Sequence, residues 1–155
     1  VNPATPRPPS ESRVLTFALM MPEHANHLGH VHGGWIMKLV DEAGGLAATR
    51  HARRPVVTVA VEGMVFHRPV PTGSVLRFEA SVVAVGRSSL DVVVDVQQED
   101  PIAGTLERVH TANMVYVALG DDDRPAPVPP LSPETPQELE RHRAAMDRRA
   151  ARVRG

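Results

Sequence analysis

An α+β fold, in which one long helix is set against an antiparallel sheet, is predicted by three patterns in this chain. Residues 33–51 place Ile36, Leu39, Val40, Ala43 and Ala47 at helical spacing. One stretch before this helix and four after it read as strands, rich in β-branched residues and alternating in polarity. Short turn-forming joins separate the later strands, at residues 69–73, 85–87 and 99–104, and joins of that length suit antiparallel neighbours.

The elements follow in order. Residues 1–12 are expected to be a loose N-terminal segment, because the first ten carry four prolines and no periodic apolar pattern. Residues 13–21 read as a strand stopped by Pro22. A histidine-rich polar loop leads into the helix, whose second half is unusually small: Ala43, Gly44, Gly45, Ala47 and Ala48. Each interior glycine costs about 1 kcal/mol relative to alanine, so a sheet wrapped closely around the helix is expected there. Residues 56–66 form a long β-branched strand. Residues 74–85 set Leu76, Phe78, Ala80 and Val82 against Arg77, Glu79 and Ser81, and residues 88–98 set Leu90, Val92, Val94 and Val96 against Asp91, Asp95 and Gln97. Residues 108–119 make the last strand, closing a domain over 13–120. The remainder, 121–155, divides into an acidic, proline-rich linker and a basic helix. Thr135, Pro136 and Glu138 supply that helix with a capping box and a proline in its first turn. Such a helix is read as a solvated surface element, with packing beside a ligand site or a neighbouring subunit as the alternative.

Composition narrows the function. A chain of 155 residues fits one domain able to bury roughly 70% of its unfolded surface. A formal charge of −1 gives no broad attraction to nucleic acid. Without cysteine there is no disulfide, thiol nucleophile or thiolate metal site. No apolar run approaches the ~20 residues of a membrane span, and a soluble, cytoplasmic protein is expected. No Gly-x-Ser-x-Gly elbow, phosphate loop or dinucleotide fingerprint occurs, and Lys38 is the single lysine.

The chemistry concentrates between Asn26 and Asp41. Gly33 and Gly34 stand where the helix begins, and free N–H groups at a helix start can hold a developing oxyanion. Asp41 lies about two turns on, where a carboxylate could activate water; its flanks Leu39, Val40 and Ala43 favour partial burial. The bland alternatives are an Asp41 ion pair with Lys38 or Arg50, Asn26 as a turn residue, and glycines needed for packing alone. His24, His27, His30 and His32 invite a metal reading, but no further ligand stands out. No metal site is expected, and His32 is read as packing or hydrogen-bonding where the helix begins.

Three ordered stretches of this sequence, residues 21–26, 31–44 and 50–51, resemble the hotdog-fold acyl-CoA thioesterases, notably the brain-type cytosolic acyl-CoA hydrolases and their single-domain bacterial counterparts. The similarity runs on through Val57 to Phe66 and Pro127 to Thr135, so it covers roughly residues 13–140. The resemblance implies a long helix wrapped by a curved sheet, dimerised through sheet edges, with hexamers built as trimers of dimers. It implies that the active site lies at the dimer interface. Asp41 matches the catalytic carboxylate, as general base or nucleophile; Asn26 matches a water- or substrate-orienting asparagine from the partner subunit. Gly33, with Gly34 beside it, matches the backbone donor to the thioester carbonyl. In the two-domain animal enzymes the asparagine and the aspartate come from different hotdog units, so a homodimer of this chain should hold two complete sites. The turn Gly86, Arg87, Ser88 and Ser89 matches one that approaches CoA, and Arg68, Gly63 and Met64 join the expected substrate- and CoA-binding residues. The implied activity is hydrolysis of fatty acyl-CoA to free acid and CoA, with no cofactor and no nucleic-acid or membrane partner. The alternatives are an aryl-CoA thioesterase of the phenylacetyl or hydroxybenzoyl type, and an acyl-CoA sensor without turnover.

Overall fold

A computed structural model describes residues 2–155. Five strands, β1 (Val14–Leu19), β2 (Val56–Phe66), β3 (Val75–Val85), β4 (Ser89–Asp100) and β5 (Thr105–Ala118), form one antiparallel sheet in the order β1-β3-β4-β5-β2. Helix α1 (Gly33–Ala52) lies on one face and α2 (Pro136–Arg154) on the other. The hotdog arrangement expected from the sequence is thus present, with strand ends moved by at most a few residues.

The alternation in β3 and β4 decides which face is core. Leu76, Phe78, Ala80, Val82, Leu90, Val92, Val94 and Val96 are all buried against α1. Full burial of the Leu, Val and Phe side chains among them stabilises by about 1.5–3 kcal/mol each. α1 begins at His32, whose ring Nδ1 accepts a hydrogen bond from the Gly34 N–H at 3.0 Å. It ends at Arg53, which adopts a left-handed φ of 55° and donates its N–H to the Thr49 carbonyl at 2.8 Å. The small residues of its second half let the sheet approach. A Cβ at Gly44 would sit 2.4 Å from the Tyr116 hydroxyl, so a side chain there would have to displace Tyr116, whereas Gly45 has ordinary room at 3.6 Å.

Three expectations need correction. Residues 2–12 do not form a loose segment: Pro9–Glu11 is a 3₁₀ turn, Pro9 and Ser12 are buried, and Arg7 pairs with the 130–132 segment. Proline-rich chain is already extended, so it pairs at little further entropic cost. The 121–133 segment is likewise extended but not a free linker. Val128 joins the main core, Ala126 and Pro129 are buried, and Val128 donates to the Arg87 carbonyl at 2.9 Å. Finally, α2 is not a freely solvated helix. It starts at the expected Thr135–Glu138 capping box and buries Ala145 against Val83, Ala84 and Val93. Arg149 and Arg152 both pair with Asp91, Arg141 pairs with Asp95 at 2.8 Å, and Arg152 also reaches Glu62. Asp91 is 3% exposed; a carboxylate so buried is stable only with such partners.

Candidate active site

Two groups of residues surround α1, one at its start and one at its middle. At the start, the Asn26 Oδ1 accepts from the Leu28 N–H at 2.9 Å and the His30 N–H at 3.2 Å, while the Asn26 N–H donates to the His30 carbonyl at 2.7 Å. This small loop delivers the chain to α1 and leaves the Asn26 amide NH₂ without an acceptor among the described residues. His24 packs edge-on against Trp35, with ring centroids 4.6 Å apart, and accepts from the Met21 N–H at 2.9 Å. With His32 capping α1, both histidines have structural work. Among the described residues, no group of three or more His, Cys, Asp or Glu side chains is placed to hold a metal ion.

The helix-start glycines are not equivalent. The Gly34 N–H is taken by His32, so its expected part in an oxyanion hole is not supported. The Gly33 N–H has no acceptor among the described residues and remains available. Gly33 also borders a cavity of about 330 Å³, lined by Asn26, Leu28, Ile36, Phe66, Arg68 and His110 among others. A Cβ at Gly33 would meet the Phe66 ring at 3.4 Å, an ordinary contact, so Gly33 and Phe66 are neighbours across the mouth of this cavity. Another cavity, of about 270 Å³, lies among Pro9, β3 and α2, away from both Asn26 and Asp41.

At the middle of α1, Asp41 is half-buried and points at the sheet. Its Oδ1 accepts from the Thr58 hydroxyl at 2.7 Å and from the Tyr116 hydroxyl at 3.1 Å, and Tyr116 lies equally close to the Asp41 main-chain carbonyl. Thr58 and Tyr116 are direct cross-strand neighbours on β2 and β5, which is why both reach one carboxylate. Burial first, then the Asp41 charge and hydrogen bond, push the Tyr116 hydroxyl pKa up, so it stays a protonated donor. Lys38 pairs instead with Glu42 at 2.6 Å, and Arg50 donates to the Arg13 carbonyl, so neither forms the surface ion pair that was the bland reading of Asp41. Oδ2 of Asp41 has no partner among the described residues.

Neither Thr58 nor Tyr116 was singled out by the sequence. Thr58 sits in a run of valines that reads as ordinary strand, and only the small second half of α1, with Gly44 and Gly45, hinted at close approach there.

The two groups do not meet within one chain. Gly33 and Asp41 stand about 12 Å apart along the α1 axis at 1.5 Å per residue. A water attacking a carbonyl held at Gly33 must lie within about 3 Å of its base. Of the remaining expected residues, Arg68 borders the cavity and pairs with Glu107. Gly63 lies at a register shift of β2 opposite Asn113, and Met64 packs on the core. The turn of Arg87, Ser88 and Ser89 lies away from the cavity. Ser89 accepts from Arg149 of α2 at 2.8 Å, the Ser88 carbonyl accepts from Ala118, and Arg87 is exposed.

Similarity to known proteins follows the same lines. The family described as the thioesterase superfamily matches residues 28–105. The chain is 33% identical over 138 residues to the uncharacterized acyl-CoA thioester hydrolase YkhA of Bacillus subtilis, covering 89% of this chain and 80% of that one. Among solved structures, an acyl-CoA hydrolase from Staphylococcus aureus, in complex with butyryl coenzyme A, coenzyme A and coenzyme A disulfide, superposes with a TM-score of 0.89 at 31% identity, over 95% of this chain and 92% of that one. Its alanine variants at an asparagine, an aspartate and a threonine have also been solved. Those three residues are separated by the same intervals along the chain as Asn26, Asp41 and Thr58. An apo-hexameric acyl-CoA thioesterase gives a TM-score of 0.92 at 29% identity, over 97% of this chain and 96% of that one.

Proposed function

The chain belongs to the thioesterase superfamily, and on that premise we propose that it is an acyl-CoA thioester hydrolase acting on fatty acyl-CoA, with each site completed by a second copy of the chain. The single observation that carries the reading is the division of the site. One part of α1 offers a free N–H beside a mainly apolar cavity, and another part holds a carboxylate with an unused oxygen. Symmetric pairing of two copies brings the partner subunit's Asp41 to the Gly33 end, and by the same operation completes a second site. The edge strand β2 supports such pairing: Val57, Val59, Val61, Val65 and Phe66 are exposed along it, a strip that an unpaired edge would leave open to aggregation. Homo-oligomers among the solved relatives agree with it, and a trimer of such dimers is the assembly proposed.

The chemistry then follows. The thioester carbonyl accepts a hydrogen bond from the Gly33 N–H, which strengthens as the oxygen gains charge. Asp41, steadied by Thr58 and Tyr116, takes a proton from water through its free oxygen as the hydroxide forms a bond to the carbonyl carbon. Asn26 orients that water or the substrate. Collapse of the tetrahedral intermediate breaks the C–S bond, and the carboxyl proton passes to the departing CoA sulfur. The products are a free acid and CoA, and no cofactor enters. We place this work in the cytoplasm. No helix among the described residues is long and apolar enough to cross a membrane.

The test is CoA release, followed with a thiol reagent, from acetyl-, hexanoyl-, palmitoyl- and phenylacetyl-CoA, for the natural chain and Asp41→Asn. Turnover of the straight-chain thioesters that collapses in the variant is the expected result. Binding without turnover in the natural chain would overturn it.

A further inference from the structure

The floor of the cavity at the start of α1 carries a polar group that the hydrolytic chemistry leaves unused. His110 lies on β5, 1% exposed, and both its ring nitrogens lack a hydrogen-bond partner among the described residues. The Val65 backbone is nearby without meeting hydrogen-bond geometry, and its effect on the ring is outweighed by burial, so the pKa is lowered to about 4 and the imidazole is neutral. A neutral imidazole offers one donor and one acceptor. A buried polar group left unmatched is costly, so one in a ligand cavity suggests that the ligand supplies the match.

The position of His110 says where on the ligand that match falls. Its ring packs edge-on against Phe66, with centroids 4.6 Å apart, and the same Phe66 ring lies against Gly33. His110 is therefore one aromatic ring away from the backbone that receives the thioester carbonyl. Leu28, Val31, Ile36 and Val70 give the wall an apolar part that suits an acyl chain, while Asn26, His30, His67 and Arg68 make up its polar part.

Resting on the hydrolase reading above, we infer that His110 recognises an oxygen substituent on the acyl chain, within a few bonds of the thioester, so that hydroxyacyl- or ketoacyl-CoA thioesters are hydrolysed in preference to unsubstituted chains of equal length. A hydroxyl can both accept from and donate to a neutral imidazole, and a keto oxygen can accept from it. An unsubstituted chain leaves both ring nitrogens unmatched, and sites built to bond a substrate hydroxyl discriminate strongly against analogues lacking it.

Matched substrates test this: kcat/KM for 3-hydroxybutyryl-, acetoacetyl- and butyryl-CoA, in the natural chain, His110→Leu and His110→Gln. The natural chain is expected to favour at least one oxygenated substrate by about tenfold or more. In His110→Leu the ratio falls to near one, and His110→Gln, which keeps hydrogen-bonding groups, retains part of it. Should His110→Leu fail to fold, His110→Phe removes the polar atoms while filling the space beside Phe66. A ratio near one in the natural chain overturns the proposal while leaving the hydrolase reading intact, and so does a preference that survives His110→Leu. No CoA release from any thioester overturns both.

Discussion

The start of α1 and its middle hold their functional groups by different means. At the start, the groups are main-chain: a free N–H at Gly33, delivered by a loop that Asn26 folds through its own side chain. At the middle, the group is a side chain, and two hydroxyls from neighbouring strands hold one oxygen of its carboxylate. Backbone donors come preorganised by the helix, whereas a carboxylate needs partners to fix its rotamer and sustain its charge. The start therefore suits the binding of developing charge, and the middle suits movement of a proton. Neither completes a hydrolytic site alone.

Substitutions at the two places should separate these roles. The largest effect is expected from Asp41→Asn, which removes the proposed base: kcat should fall on the order of 10²–10⁴-fold while KM changes little, measured by CoA release. A kcat within a few-fold of the natural value would remove Asp41 from the chemistry. The start should reveal itself through pH instead. The His110 pKa, lowered to about 4 from an ordinary 6.5, lies below its unfolded value. Stability is therefore full above about pH 6.5 and is lost as pH falls towards 4, by up to about 3 kcal/mol. His51, buried at the C-terminal end of α1 and also lowered by burial, adds in the same direction. Denaturant unfolding across that window should show a shallower slope in His110→Leu, and an unchanged slope would contradict the burial argument.

Smaller effects sharpen the account of the middle. Gly44→Ala should cost about 1–3 kcal/mol and lower kcat as well, because its Cβ displaces the hydroxyl that holds Asp41. Gly45→Ala, with room for a methyl, should be neutral or stabilising in a thermal melt. Tyr116→Phe removes a single donor from Asp41 and should lower kcat by about tenfold, measured by CoA release.

Much of this was legible in the chain. The alternation of Leu76, Phe78, Ala80 and Val82, repeated in β4, correctly placed the core face, and the Thr135–Glu138 box correctly started α2. Asp41, Gly33 and Asn26 stood out as candidates because their residue types and order are unusual. What stayed hidden depends on contacts between distant segments. Asp91 and Asp95 read as solvent-facing positions of a strand, yet α2 covers them, and no local pattern links them to Arg141, Arg149 and Arg152, which lie 46 to 61 residues on. Thr58 and Tyr116 were missed for the same reason: a threonine and a tyrosine in a strand look like ordinary sheet formers. The hydrogen bond of His32 where α1 begins was expected, but that it falls on the Gly34 N–H is set by the local backbone turn.

The most direct test of the shared site is complementation. Asn26→Ala and Asp41→Asn are each made inactive or nearly so, then co-expressed to allow mixed oligomers. If each site takes Asn26 from one copy and Asp41 from the other, a mixed dimer carries one intact site. Random mixing should then restore about a quarter of the natural activity. If both residues act within the same copy, every site in the mixture bears one lesion, and no recovery above the separate variants would contradict the account.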